Sequence, residues 1–118
     1  MLWIVVGPVD LRAQLQNPVP AITAALVPTS APPGIYSVAV HITGTGFISA
    51  SVVNWNGTPI MTQSVSSTQL IALVPQADLV AAGSASISVT NPPPAGGTSN
   101  SVTFNIAVSP FAPTLSNL

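Results

Sequence analysis

The sequence predicts an all-β fold, a sandwich of about seven short strands of the immunoglobulin-like kind. Three observations lead there. Short series in which apolar and polar residues alternate recur along the chain, and strict alternation puts one row of side chains on a core face and the other on the opposite face. Clusters of Pro, Gly and Asn separate these series at the spacing of a β-sandwich, in a chain with 13 Pro and 8 Gly. From Pro18 onward no stretch carries a convincing helical period. At 118 residues the chain is one domain of ordinary size, long enough to bury a core without disulfides.

The elements follow in order. Leu2-Trp3-Ile4-Val5-Val6 is a continuous apolar run broken by Gly7-Pro8, and its β-branched residues favour a strand. It is far shorter than the roughly 20 residues that span a bilayer. No Lys or Arg precedes it, whereas a secretory signal carries a basic region before its apolar core. A first strand precedes Pro32-Pro33-Gly34. Val38, Val40 and Ile42 then alternate with Ser37, Ala39, His41 and Thr43, and Gly44-Thr45-Gly46 is read as the end of this second strand. Val53 and Trp55 alternate with Val52, Asn54 and Asn56. Asn56-Gly57 is a strong hairpin signal, because both central positions of a type I′ turn need positive φ. Leu70, Ala72 and Val74 alternate with Gln69, Ile71 and Leu73, and Pro75 closes that strand. Gln76–Ala82 offers at most one helical turn. Ala85, Ile87 and Val89 alternate with Ser84, Ser86, Ser88 and Thr90. Pro92–Gly97 connects to a last strand, in which Val102, Phe104 and Ile106 alternate with Ser101, Thr103 and Asn105. The expected core is Val38, Val40, Ile42, Phe47, Val53, Trp55, Leu70, Val89 and Phe104.

Composition narrows function. Charged residues make up 3% of the chain against about 25% in an average soluble protein. The acids are Asp10 and Asp78, the base is Arg12, and there is one His and no Cys. No cysteine nucleophile, Cys-rich zinc site or disulfide is available. A basic surface for nucleic acid is absent, and so is a polybasic membrane patch. Hydrophobic content of 47% argues against disorder.

The segment from Pro20 to Ile106 resembles the IPT/TIG family of immunoglobulin-like domains, shared by plexins, some transcription factors and many bacterial surface proteins. The resemblance rests on Pro20-Ala-Ile-Thr, Pro28-Thr-Ser-Ala-Pro-Pro-Gly34, Ile42-Thr-Gly-Thr-Gly-Phe47 and Ser51-Val-Val-Asn-Trp-Asn-Gly-Thr58. It continues in Ser66-Ser-Thr-Gln-Leu70, Val74-Pro75, Ile87-Ser-Val-Thr-Asn-Pro92 and Gly96-Gly-Thr-Ser-Asn100. The Ser/Thr-rich, charge-poor character is most similar to bacterial secreted copies. The resemblance implies the fold and an extracellular or cell-surface location in a bacterium. It does not assign a role, since such domains serve as spacers, binders and dimerisation modules. Residues 1–16 read as an apolar extension, either an assembly strand or a signal remnant. Residues 17–108 are the domain. Residues 109–118 resemble the first strand of a next repeat, with Pro113 aligning on Pro20.

Candidate chemistry is sparse. His41 is expected to face solvent or an interface, and a lone His without a second ligand or base makes neither a metal site nor a catalyst. Asp78 is read as a cap for a short helical turn. As a calcium ligand it would stand alone where the ion takes 6–8 oxygens. Asp10 and Arg12 would share a face of a strand, pairing locally or setting register against a partner. No G-x-S-x-G occurs to build a nucleophile elbow, and the expectation is no enzyme, no cofactor and no metal. Asn56-Gly-Thr58 matches a glycosylation acceptor, but the hairpin turn accounts for it.

Ile71 and Leu73 are apolar at outward positions, where the resemblance implies Thr or similar residues, and Val27 and Met61 are likewise apolar where the resemblance implies polar ones. A cluster of such residues would mark an interface, and near-zero charge removes the usual electrostatic barrier to association. The function expected is therefore a structural module of an extracellular assembly. Its copies would associate head to tail through terminal strands into an oligomer or filament. Leu2, Trp3, Ile4, Val5, Val6, Ile71, Leu73, Phe111 and Leu115 are the candidate association residues. The alternative is a surface-displayed adhesion module that binds another surface protein or a glycan. Neither reading involves nucleic acid or a membrane span.

Overall fold

The computed structural model describes residues 16–34 and 37–107. Among the described residues the chain forms nine strands and one 3-10 turn. Strands β1 (Ala21–Ile22) and β2 (Ser30–Ala31) are short; β3 (Val38–Thr45), β4 (Val52–Trp55), β5 (Thr58–Ser66) and β6 (Gln69–Val74) follow. The 3-10 turn Gln76–Leu79 precedes β7 (Gly83–Asn91), β8 (Gly97–Thr98) and β9 (Val102–Ile106).

The strands make the two layers of an all-β sandwich. One layer holds β1, β3, β6 and the second half of β5, and the other holds the start of β5 with β4, β7, β8, β9 and β2. The pairings are antiparallel except β2 with β9. Strand β5 joins the layers: Thr58, Pro59 and Ile60 pair with β4, and Met61 to Ser66 pair with β6. At the crossover the backbone N–H of Val53 donates to Thr62 Oγ1 at 2.8 Å, so a side chain completes the ladder that the departing strand leaves open. The first strand region divides in the same way, with β1 on β3 and β2 on β9.

The alternating rows fill the space between the layers. Val40, Ile42, Val53, Leu70, Ala72, Val74, Ile87, Val89 and Phe104 are buried, joined by Trp55, Phe47, Ile106 and the 3-10-turn residue Leu79. The rings of Trp55 and Phe104 lie 5.5 Å apart at 57°, a tilted aromatic pair. Of the expected core only Val38, at the start of β3, is half-buried and packs on its margin.

Several local readings need correction. Strand β3 runs on through Gly44 and Thr45, because β1 pairs there and holds the backbone extended. Gly44 is required by close approach: a Cβ would collide with the Ala21 carbonyl oxygen and stand 2.6 Å from the Phe47 ring. Strand β5 is not among the alternating series, because most of its residues are exposed on both faces. Asp78 is not a cap. It sits inside the 3-10 turn, where its N–H donates to the Pro75 carbonyl at 3.0 Å, and Pro75 holds the capping position without a side-chain hydrogen bond. The Asn56-Gly57 hairpin forms as expected, with φ of 52° and 85°, and joins β4 to β5.

The register of β7 defines two poles. Asn91 at its end lies by Pro18, Gly46 and the Pro92–Gly97 loop, which is the proximal pole where the chain enters the domain. Gly83 at its start pairs with Ile106, which is the distal pole where the chain leaves. Nine residues of strand separate the two poles by about 26 Å.

Candidate interaction face

The proximal pole is closed by side-chain amides. Asn91 is 1% exposed, yet its Nδ2 donates to the carbonyls of Pro18 (2.9 Å) and Gly46 (2.8 Å), and its Oδ1 accepts from Ser51 Oγ. Ser51 Oγ in turn accepts the Ile48 N–H. Asn100 Oδ1 accepts the N–H of Ile22 and its Nδ2 donates to the Ile22 carbonyl, so one side chain stands in for a neighbouring strand along β1. Asn17 donates its N–H to the Pro94 carbonyl and its Nδ2 to that of Pro92, while its own carbonyl accepts from Gly96. No buried side-chain nitrogen or oxygen among the described residues lacks a partner. These residues escaped the reading of the sequence, although parity could have found one. Asn91 continues the buried series Ala85, Ile87, Val89.

The two outward faces differ in chemistry. On the β4–β7 layer Asn54 Nδ2 donates to Thr90 Oγ1 at 2.8 Å, and the hydroxyls of Thr90 and Thr98 lie 3.0 Å apart. Serines 86 and 88 complete a hydroxyl and amide surface. On the other layer Ala39, Leu73 and Met61 face each other in one row across β3, β6 and β5. His41, Ile71 and Gln63 form the next row, and Val27 bridges to His41 from the edge. Met61 is 70% exposed, Val27 62% and Leu73 40%. Asp78 is the only Asp, Glu, Lys or Arg among the described residues, and it lies in the 3-10 turn rather than on this face.

Structure thus brings together Ile71 and Leu73, with Met61 and Val27, on one sheet face. The remaining candidate association residues, Leu2, Trp3, Ile4, Val5, Val6, Phe111 and Leu115, lie outside the described residues, as do Asp10 and Arg12. His41 is exposed on the apolar face beside Ile71. Among the described residues no three of His, Cys, Asp and Glu gather where a metal could be held. No helix of the described residues is long and apolar enough to cross a membrane. The Asn56 side chain occupies the hairpin, where its Oδ1 accepts the Ser86 N–H at 2.8 Å.

A two-layer β-sandwich with tight Gly and Pro turns, and with Asp78 as its one Asp, Glu, Lys or Arg among the described residues, is an immunoglobulin-like module. The IPT/TIG domain family model matches residues 20–106, and the chain belongs to that family of non-enzymatic modules. A comparison with curated proteins finds no match.

Proposed function

We propose that this chain is a structural module of an extracellular or cell-surface assembly in a bacterium, whose copies join end to end through the segments flanking the domain. The observation that carries the reading is the polarity of the fold: the chain enters beside Asn91 and leaves beside Gly83, at opposite ends of β7. A unit strung this way transmits its axis from one copy to the next, and a head-to-tail contact that does not close on itself builds a filament. The charge-poor composition supports it, since little electrostatic repulsion opposes contact. A glycan-binding role has less support, because the aromatic side chains of the described residues, Phe47, Trp55 and Phe104, are all buried in the core. The test is electron microscopy and light scattering on the full chain, the chain without residues 1–16 and the chain without residues 110–118. End-to-end joining predicts that the full chain assembles and that at least one truncation does not. A full chain that stays monomeric at high concentration refutes it.

A further inference from the structure

We infer that the joint itself is the outward face of β3, β6 and β5, and that its occupant is the apolar run Leu2–Val6 of the adjoining copy. This rests on the end-to-end reading above and adds the two surfaces that meet.

Size selects the occupant. Three strands present a face roughly 10 Å wide between outer strand axes and about 17 Å long over the paired residues, whereas a stable contact between folded domains needs about 800 Å² from each partner. The face is the footprint of one extended segment, not of a folded domain. One extended segment of five residues is about 17 Å long and covers the face. Leu2–Val6 has that length and is wholly apolar, so it matches the Ala39–Leu73–Met61 row and its neighbour Ile71, with His41 and Gln63 flanking Ile71 at the margin.

Position within the end-to-end row selects the source. Two members of the apolar row lie toward the distal pole: Leu73 is the last residue but one of β6, and Ala39 is the second of β3. Met61, just past the crossover of β5, extends the row toward the middle of the sandwich. The apolar run precedes the proximal pole. Traced backwards from β1, the chain passes Pro18 and Asn17 and runs along the Pro92–Ala95 loop beyond the end of β7. Its own row lies back along the sandwich within reach of the same tether, and the choice of the adjoining copy follows from the end-to-end reading. In a row of copies the distal pole of the preceding copy lies ahead of it. The ten residues from Gly7 to Gln16 span up to about 35 Å, enough to bridge the poles.

The experiment uses the full chain and two variants, with sedimentation velocity as the readout and thermal melts followed by circular dichroism as the control for folding. One variant lacks residues 2–6. The other carries Met61→Asp and Leu73→Asp, with Leu73→Ser as a milder form should the double variant melt early. Each variant alone is expected to lose assembly, with association weakened at least about a hundredfold, because the face would bury an unpaired carboxylate or lack its occupant. Mixed in equal amounts, the two variants should form a one-to-one complex, since one retains the face and the other retains the run. Assembly that persists in the folded Met61→Asp, Leu73→Asp chain overturns this joint while end-to-end joining stands. No complex on mixing also overturns it. A monomeric full chain overturns both. A monomer whose Trp3 fluorescence changes with Leu73→Ser assigns the run to its own chain's face instead.

Discussion

The two poles of this sandwich are closed by different chemistry. At the proximal pole the incoming chain is held by side-chain amides: Asn91, Asn100 and Asn17 supply hydrogen bonds to backbone groups that no strand reaches. At the distal pole an apolar plug does the work of closure. Leu79 is fully buried, and its carbonyl accepts the Gly34 N–H at 2.7 Å, tying the 3-10 turn to the loop after β2. The difference teaches how a chain almost without charge solves its polar problem. Buried backbone groups must be paired, and neutral amides do this without the desolvation cost of an ion. It also gives the module a direction, since Ala39 and Leu73 of the exposed aliphatic row sit toward the apolar pole.

Asn91→Leu is expected to do the most damage at the proximal pole. It leaves the carbonyls of Pro18 and Gly46 and the Ser51 hydroxyl without their partner in a dry setting, and each orphaned group costs about 1–3 kcal/mol. A loss of about 4 kcal/mol is expected in urea unfolding, a large part of a total near 5–15 kcal/mol. Leu79→Ala at the other pole should cost about 2–3 kcal/mol, the low end for a buried Leu because a single turn can settle into the space. If Leu79→Ala proves the more damaging of the two, the amide clamp is not what holds the proximal pole.

How far the sequence reveals all this depends on which residues alternate. The rows Val40-Ile42, Val53-Trp55, Leu70-Val74, Ala85-Val89 and Phe104-Ile106 were legible because the residues on either side of each buried one point to the opposite face. The outward apolar residues Ile71 and Leu73 were legible for the same reason, whereas Met61 and Val27 stood out only against the family resemblance; the register groups them on one face. Strand β5 was hidden because a strand passing between layers turns few side chains inward. The two-residue strands β1, β2 and β8 carry too few positions to show a period. The amide clamp was hidden because an Asn that bonds backbone atoms from a distant segment looks, in sequence, like an Asn in a turn.

Smaller effects sharpen the contrast. Asn100→Ala should cost about 1–2 kcal/mol, read as a lowered midpoint in the same urea titration, since Ile22 would lose both partners along one edge of β1. Met61→Thr and Leu73→Thr should change stability by no more than about 0.5 kcal/mol, because both side chains stand exposed on a sheet that accepts Thr well. The same pair should raise solubility measurably in ammonium sulfate precipitation. A large loss of stability in this pair would mean that the aliphatic row belongs to the fold and is not a free face.

The smallest expected effect is that of sodium chloride. Screening acts on charges, and the chain carries two acids and one base in 118 residues. Neither pole uses an ion pair among the described residues, since the amide clamp is neutral and Leu79 is apolar. Raising sodium chloride from low to moderate concentration should therefore leave both the melting temperature and the sedimentation profile unchanged. Ammonium sulfate acts differently, because it is excluded from protein surface and strengthens apolar burial. Association through the Ala39–Leu73–Met61 row should tighten in sulfate and stay flat in chloride at matched ionic strength. A profile that dissociates in sodium chloride would place the joint on a charged group, Asp10, Arg12 or Asp78, and not on the aliphatic face.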